Sequence, residues 1–161
     1  MTSSKQLPRH EWAESHEPET MPMVLFLHHA QGLSFTLART VWTRNGLAPA
    51  EFDVLATLRN APAPHELTPT QLQDSLLITS GGLTKVMLQL ETRNLVIRSR
   101  HQTDQRVKPI KLTPAGKRLV EKAMRELAAT SSAWVRGILE ANEISLLTGM
   151  LRKLAGSDTK Q

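Results

Sequence analysis

The chain has 161 residues, 40% of them hydrophobic and 22% charged, enough for one domain with a real core. Cysteine and tyrosine are absent and aromatics make up only 4%, which excludes disulfides, thiolate catalysis and thiolate metal sites and disfavours an all-β fold. Net charge is +5, but residues 79–118 hold nine Lys or Arg against two acids, a net +7, so the rest of the chain is slightly acidic. A basic segment on a near-neutral body is an electrostatic footprint for a polyanion, or else a solvated face.

Residues 1–20 mix Ser, Pro, His and Glu without periodicity and read as a flexible N-terminal arm. They contain no apolar core of a secretory signal, and no apolar run in the chain reaches membrane-spanning length. A cytoplasmic location and no membrane partner are therefore expected. From residue 23 to about 44, Met23, Leu27, Ala30, Leu33, Leu37 and Val41 recur at helical spacing, and Gly46 suits a left-handed cap. Pro49 opens a short helix carrying Phe52, Leu55 and Ala56, which must end before Ala61-Pro62-Ala63-Pro64.

Thr68-Pro69-Thr70-Gln71 has the form of a capping box and starts a helix to about residue 76. After a turn at 77–79, a further helix starts at Thr79 or Ser80 and runs to about 93, with Leu83, Val86, Met87 and Leu90 facing a core. Residues 95–100 and 107–112 are two β-capable runs joined by a polar tip, hence a hairpin. Pro109 cannot donate to a ladder, so its strand is expected at an edge. Thr113-Pro114 then starts a helix of about 25 residues with Val120, Leu127, Trp134 and Ile138 on one stripe. Asn142 is expected to cap a last helix, with Ile144, Leu147, Leu151 and Leu154 inward and Gly156 as its stop.

Two short helices about a tight turn, followed by a basic hairpin, form a helix-turn-helix with a wing. The expected fold class is mainly α with a small β-hairpin wing, with six helices. The major groove of B-DNA accepts one helix, and the 80–93 helix offers it Ser80, Gly81, Gly82, Thr84, Lys85, Leu88 and Gln89. Gly81 and Gly82 permit close approach of backbone N–H groups to phosphates. Ser80 and Thr84 suit phosphate or base edges, and Lys85 and Gln89 are the candidates for base readout. Thr68, at the start of the preceding helix, joins the candidate DNA-binding set. Leu88 fits least: it touches a thymine methyl or is partly buried. In the wing, Arg98, Arg100, Arg106 and Lys108 face the backbone or minor groove, and Asp104 stabilises the tip or orients an arginine.

The chain resembles the MarR family of winged helix-turn-helix transcriptional regulators. The resemblance rests on Leu83-Thr84-Lys85, Leu90-Glu91-Thr92-Arg93-Asn94-Leu95-Val96-Ile97-Arg98, Asp104-Gln105-Arg106, Leu112-Thr113-Pro114-Ala115-Gly116 and Leu47 through Leu55. Thr79-Ser80-Gly81-Gly82 is similar to a subgroup that includes urate-responsive members, although Val86, Met87 and Leu88 stand where those carry basic and acidic residues. The resemblance implies a homodimer built from about residues 21–45 and 113–156, around a DNA-binding lobe of about 47–112 within a domain of 21–157. It also implies a pseudo-palindromic operator on double-stranded DNA, repression, and a small-molecule effector. His28, His29, Arg39 and Trp42 are candidates for lining the effector pocket, Trp42 having a core role as its alternative.

No catalytic motif is present, so no enzyme activity and no cofactor are expected. Two alternatives remain: a helical scaffold of the same fold that does not bind DNA, and a metal-responsive regulator using histidines. Against a metal site, His28 and His29 are helix neighbours about 100° apart and cannot readily share one ion.

Overall fold

The computed structural model describes residues 17–76, 79–98 and 109–156. The chain divides into two compact units, Met1–Leu37 and Ala38–Gln161. The described residues form six helices and three short strands. In order these are α1 (Met21–Arg44), α2 (Pro49–Asn60), β1 (Glu66–Leu67), α3 (Pro69–Leu76), α4 (Ser80–Thr92), β2 (Val96–Arg98), β3 (Ile110–Leu112), α5 (Pro114–Arg136) and α6 (Ala141–Leu154). None of these helices is long and apolar enough to cross a membrane.

Local signals set most boundaries. Gly46 adopts φ +65, and the Gly46 and Leu47 N–H groups bond back to the Thr43 and Trp42 carbonyls, closing α1 in a Schellman turn. Asn94 (φ +52) does the same for α4, with Asn94 N–H on Glu91 O and Leu95 N–H on Leu90 O. Asn tolerates this conformation because its short polar side chain lowers the cost. At α3 both halves of the capping box form: Thr68 N–H donates to Gln71 Oε1 (2.9 Å), and Gln71 N–H donates to Thr68 Oγ1 (3.2 Å).

The core lies in the second unit. Val54, Leu55 and Leu58 of α2, Leu72 of α3, Met87 and Leu90 of α4, Val96, Ile110 and Val120 are all buried. Around them α2 packs on α3, α4, α5 and β3. The expected inward stripe of α4, Leu83, Val86, Met87 and Leu90, is buried as a set.

The two strands of the expected hairpin, β2 and β3, pair antiparallel, and a third strand, β1, joins them. β3 is central, paired antiparallel with both β2 and β1. Pro109 does not force an edge, because the strand starts one residue later and the ladder never needs its missing N–H. β1 has only two residues, and Glu66 faces Lys111 across the ladder with an ion pair of 3.3 Å.

The last helix also departs from expectation. Glu140, not Asn142, is its N-cap, with the Glu140 N–H held by Glu143 Oε2 at 2.8 Å. Asn142 lies inside the first turn. Its apolar residues do not face a core among the described residues: Leu146, Leu147, Met150, Leu151 and Leu154 are all exposed and Ile144 is half-buried. In the first unit Met23, Phe26, Leu27, Leu33 and Phe35 are exposed as well.

Candidate nucleic-acid interface

Thr79 caps α4 by accepting the Gly82 N–H at 3.2 Å, which settles the choice between Thr79 and Ser80. Helix geometry leaves the Ser80 and Gly81 N–H groups without an intrahelical acceptor. Ser80, Gly81, Thr84, Lys85 and Gln89 are exposed and Gly82 is half-exposed, so the ridge expected to face the groove is on the outside. Among the described residues nothing lies where a Cβ of residue 81 would sit, so packing against them does not demand glycine there. Thr84 donates its hydroxyl hydrogen to the Ser80 carbonyl at 2.9 Å, leaving a methyl group and an oxygen lone pair for any ligand. Thr68 is half-buried, with its hydroxyl oxygen engaged by the cap. Leu88 is 65% exposed, so of its two readings partial burial falls away.

Charge is distributed less simply than the sequence suggests. Of the six basic residues of 79–118 that lie among the described residues, three are tied to acids. Arg93 Nη1 meets Glu51 Oε1 at 2.9 Å, Arg98 Nε meets Glu91 Oε1 at 2.7 Å, and Lys111 meets Glu66. Lys85 has no ion pair among the described residues. The Arg98 pair ties the base of the wing to the end of α4. Arg100, Asp104, Arg106 and Lys108 lie outside the described residues.

Two structural ties join residues far apart in the chain. Glu51, with a side chain only 7% exposed, takes the Ala48 N–H on Oε2 (2.8 Å) and Arg93 on Oε1. Arg93 also donates to the Gly46 carbonyl at 2.9 Å. One guanidinium at the end of α4 therefore locks the turn that joins α1 to α2. A Glu three residues after Ala48 was a usable sequence signal for the cap, but nothing local pointed to Arg93 as its partner. The second tie is at Thr113: its hydroxyl donates to the Asn94 and Leu95 carbonyls and accepts from Gly116 N–H, and its own N–H bonds Leu95 O at 3.0 Å.

Farther back, Arg59 of α2 meets Glu121 of α5 at 2.7 Å, and this hydrogen bond holds the Glu121 carboxyl below the usual glutamate range. Partial burial pushes the Asp53 carboxyl up. Of the proposed pocket residues, His28, His29 and Arg39 are exposed. Trp42 belongs to the core, its ring 5.4 Å from that of Phe52. Among the described residues no three His, Asp or Glu side chains are placed to hold a metal ion.

A short helix ending at Leu76, a second helix starting at Ser80 with a buried stripe and an exposed polar ridge, and the small antiparallel sheet that follows define a winged helix-turn-helix. The MarR family model matches residues 45–107. The regulator MhqR of Bacillus subtilis is 32% identical over 119 residues, 73% of this chain and 78% of MhqR. The chain belongs to the MarR family of helix-turn-helix transcriptional regulators. The fold is shared with solved structures at lower identity. E. coli MarR (mutant C80S, complexed with operator DNA) gives a TM-score of 0.71 at 22% identity, covering 91% of this chain and 99% of that one. Bordetella bronchiseptica BpsR, whose DNA binding is regulated by 6-hydroxynicotinic acid, gives 0.67 at 23%, covering 92% and 98%.

Proposed function

We propose that this chain is a sequence-specific repressor that binds a pseudo-palindromic operator as a homodimer and is released by a small-molecule effector. The observation that carries this reading is α4 itself. One side is fully sunk in the core, and the other presents Ser80, Gly81, Gly82, Thr84, Lys85 and Gln89 outward. A helix so mounted is shaped for a major groove. Thr68, Arg98, Arg100, Arg106 and Lys108 complete the contact set, with Asp104 ordering the wing. The DNA-binding lobe comprises about 47–112, and the helices at about 21–45 and 113–156 form the dimer. Dimerisation is supported by the exposed leucines and Met150 of α6, an apolar face that costs free energy in water. A small effector is supported by the regulation of BpsR by 6-hydroxynicotinic acid. The protein acts in the cytoplasm and has no catalytic role.

The test is binding to DNA from upstream of its own gene, at several salt concentrations, for the wild type and Arg106→Ala. Wild-type binding should be tight and steeply salt-dependent, and Arg106→Ala should bind more weakly with a salt slope reduced by about one. Equal binding by both proteins would remove the wing from the interface. No binding at low salt would favour a scaffold of the same fold.

A further inference from the structure

Leu88 is the exposed side chain of α4 that neither packs in the core nor offers a hydrogen-bonding group. It is 65% exposed on a helix whose other apolar side chains, Leu83, Val86, Met87 and Leu90, are all buried. A solitary exposed leucine is ordinary on a protein surface and means nothing alone. Its position is what matters. At about 100° per residue, Leu88 lies on the side of the helix away from the buried stripe. It stands one turn beyond Thr84 and Lys85 and two turns beyond Gly81 on the same ridge. Gly81 lacks a side chain although its Cβ would meet nothing among the described residues. Thr84, four residues before Leu88 and beside it on the helix surface, has turned its hydroxyl hydrogen to the Ser80 carbonyl. Thr92, four residues after Leu88, has likewise donated its hydroxyl to the Leu88 carbonyl at 2.8 Å. On the outward face Leu88 and the Thr84 methyl thus form an apolar strip, with the Lys85 ammonium beside Leu88 and Gln89 farther round the helix.

In the major groove the one apolar feature of a base edge is the thymine 5-methyl group. We propose that Leu88, with the Thr84 methyl beside it, is a specificity-determining contact that selects thymine at one position of each operator half-site. The inference rests on α4 entering the major groove, as proposed above. It differs from hydrogen-bond readout in a testable way, because a leucine cannot distinguish bases by donors or acceptors. Its whole contribution must vanish when the methyl group is removed.

The experiment uses the full-length protein and an upstream DNA fragment that it protects. Each thymine is replaced in turn by deoxyuridine, which deletes only the 5-methyl group. Binding should weaken about fourfold at one position per half-site, the worth of one buried methyl-sized group. The same replacement should cost Leu88→Ala nothing, while Leu88→Met, which keeps an apolar reach, should retain the effect. Tight wild-type binding with a flat uracil scan would overturn the proposal and leave the DNA-binding reading intact. An equal uracil loss in wild type and Leu88→Ala would assign the methyl contact to another residue and also overturn it. Failure of the wild type to bind any upstream fragment at low salt would overturn both.

Discussion

Gly116→Ala is expected to be among the most damaging single-methyl additions in this chain. A Cβ at residue 116 would lie 2.0 Å from the Leu95 carbonyl oxygen, 2.9 Å from its carbon and 3.2 Å from its Cα. All three are backbone atoms, so no side chain can swing aside. The same Leu95 oxygen receives the Thr113 N–H at 3.0 Å and the Thr113 hydroxyl at 3.2 Å, so relief of the clash must stretch these bonds. Overpacking costs about 1–3 kcal/mol and each weakened hydrogen bond about 1 kcal/mol, giving roughly 2–5 kcal/mol in all. For a domain of this size that lowers Tm by about 5–15 °C. Urea and thermal unfolding at matched protein concentration measure it, since the proposed dimerisation would make both concentration-dependent. Unfolding within about 0.5 kcal/mol of wild type would refute the reasoning, because it would mean that α5 does not start against the Leu95 backbone.

The same substitution at Gly81 should have the opposite sign in the free protein. With nothing near its Cβ, Gly81→Ala should leave stability unchanged or raise it by up to about 1 kcal/mol, yet weaken DNA binding in a mobility-shift assay; unaltered affinity would exclude close backbone approach there. Arg93→Ala leaves the buried Glu51 carboxylate without its cation and should cost about 1–3 kcal/mol in urea unfolding, the half-exposed guanidinium moderating the loss. Combined with Glu51→Gln it should be less than additive; strict additivity would mean the two do not couple. The Arg59–Glu121 bond has a pH signature. Because the folded carboxyl titrates below the ordinary glutamate value, its contribution is present above that value and is lost as pH falls through the lowered one. The stability difference between wild type and Glu121→Gln should therefore shrink in the acid range, and a difference constant with pH would show that the ion pair contributes nothing.

The elements that were legible from sequence are those fixed by neighbours in the chain. Thr68 with Gln71, Thr113 with Pro114, and Gly46 after Asn45 each specify a helix end within a few residues, and all three ends form there. The buried stripe of α4 was legible for the same reason: helical periodicity needs no knowledge of the partner surface. What could not be read depends on distant partners. β1 is two residues long, too short to show alternation, and exists because β3 lies beside it. Glu51 and Arg93 are 42 residues apart, so by sequence Arg93 belongs to the basic footprint, although it ties down the α1–α2 turn. Asn142 is a good capping residue, but Glu140 with Glu143 two and one positions away closes the helix end first. For the interface itself, residue types located the α4 ridge, while Thr84's inward hydroxyl and the Glu91 partner of Arg98 emerged only from geometry.

The central claim is that two copies of α4 read two halves of one operator. Footprinting of the purified protein on its own upstream DNA, with stoichiometry measured on the protected fragment, tests it most directly. The expected result is a protected near-palindrome whose half-sites lie about one helical turn, roughly 10 bp, apart, occupied by two chains. Protection of a single unpaired half-site by one chain, or uniform coverage indifferent to sequence, would contradict it.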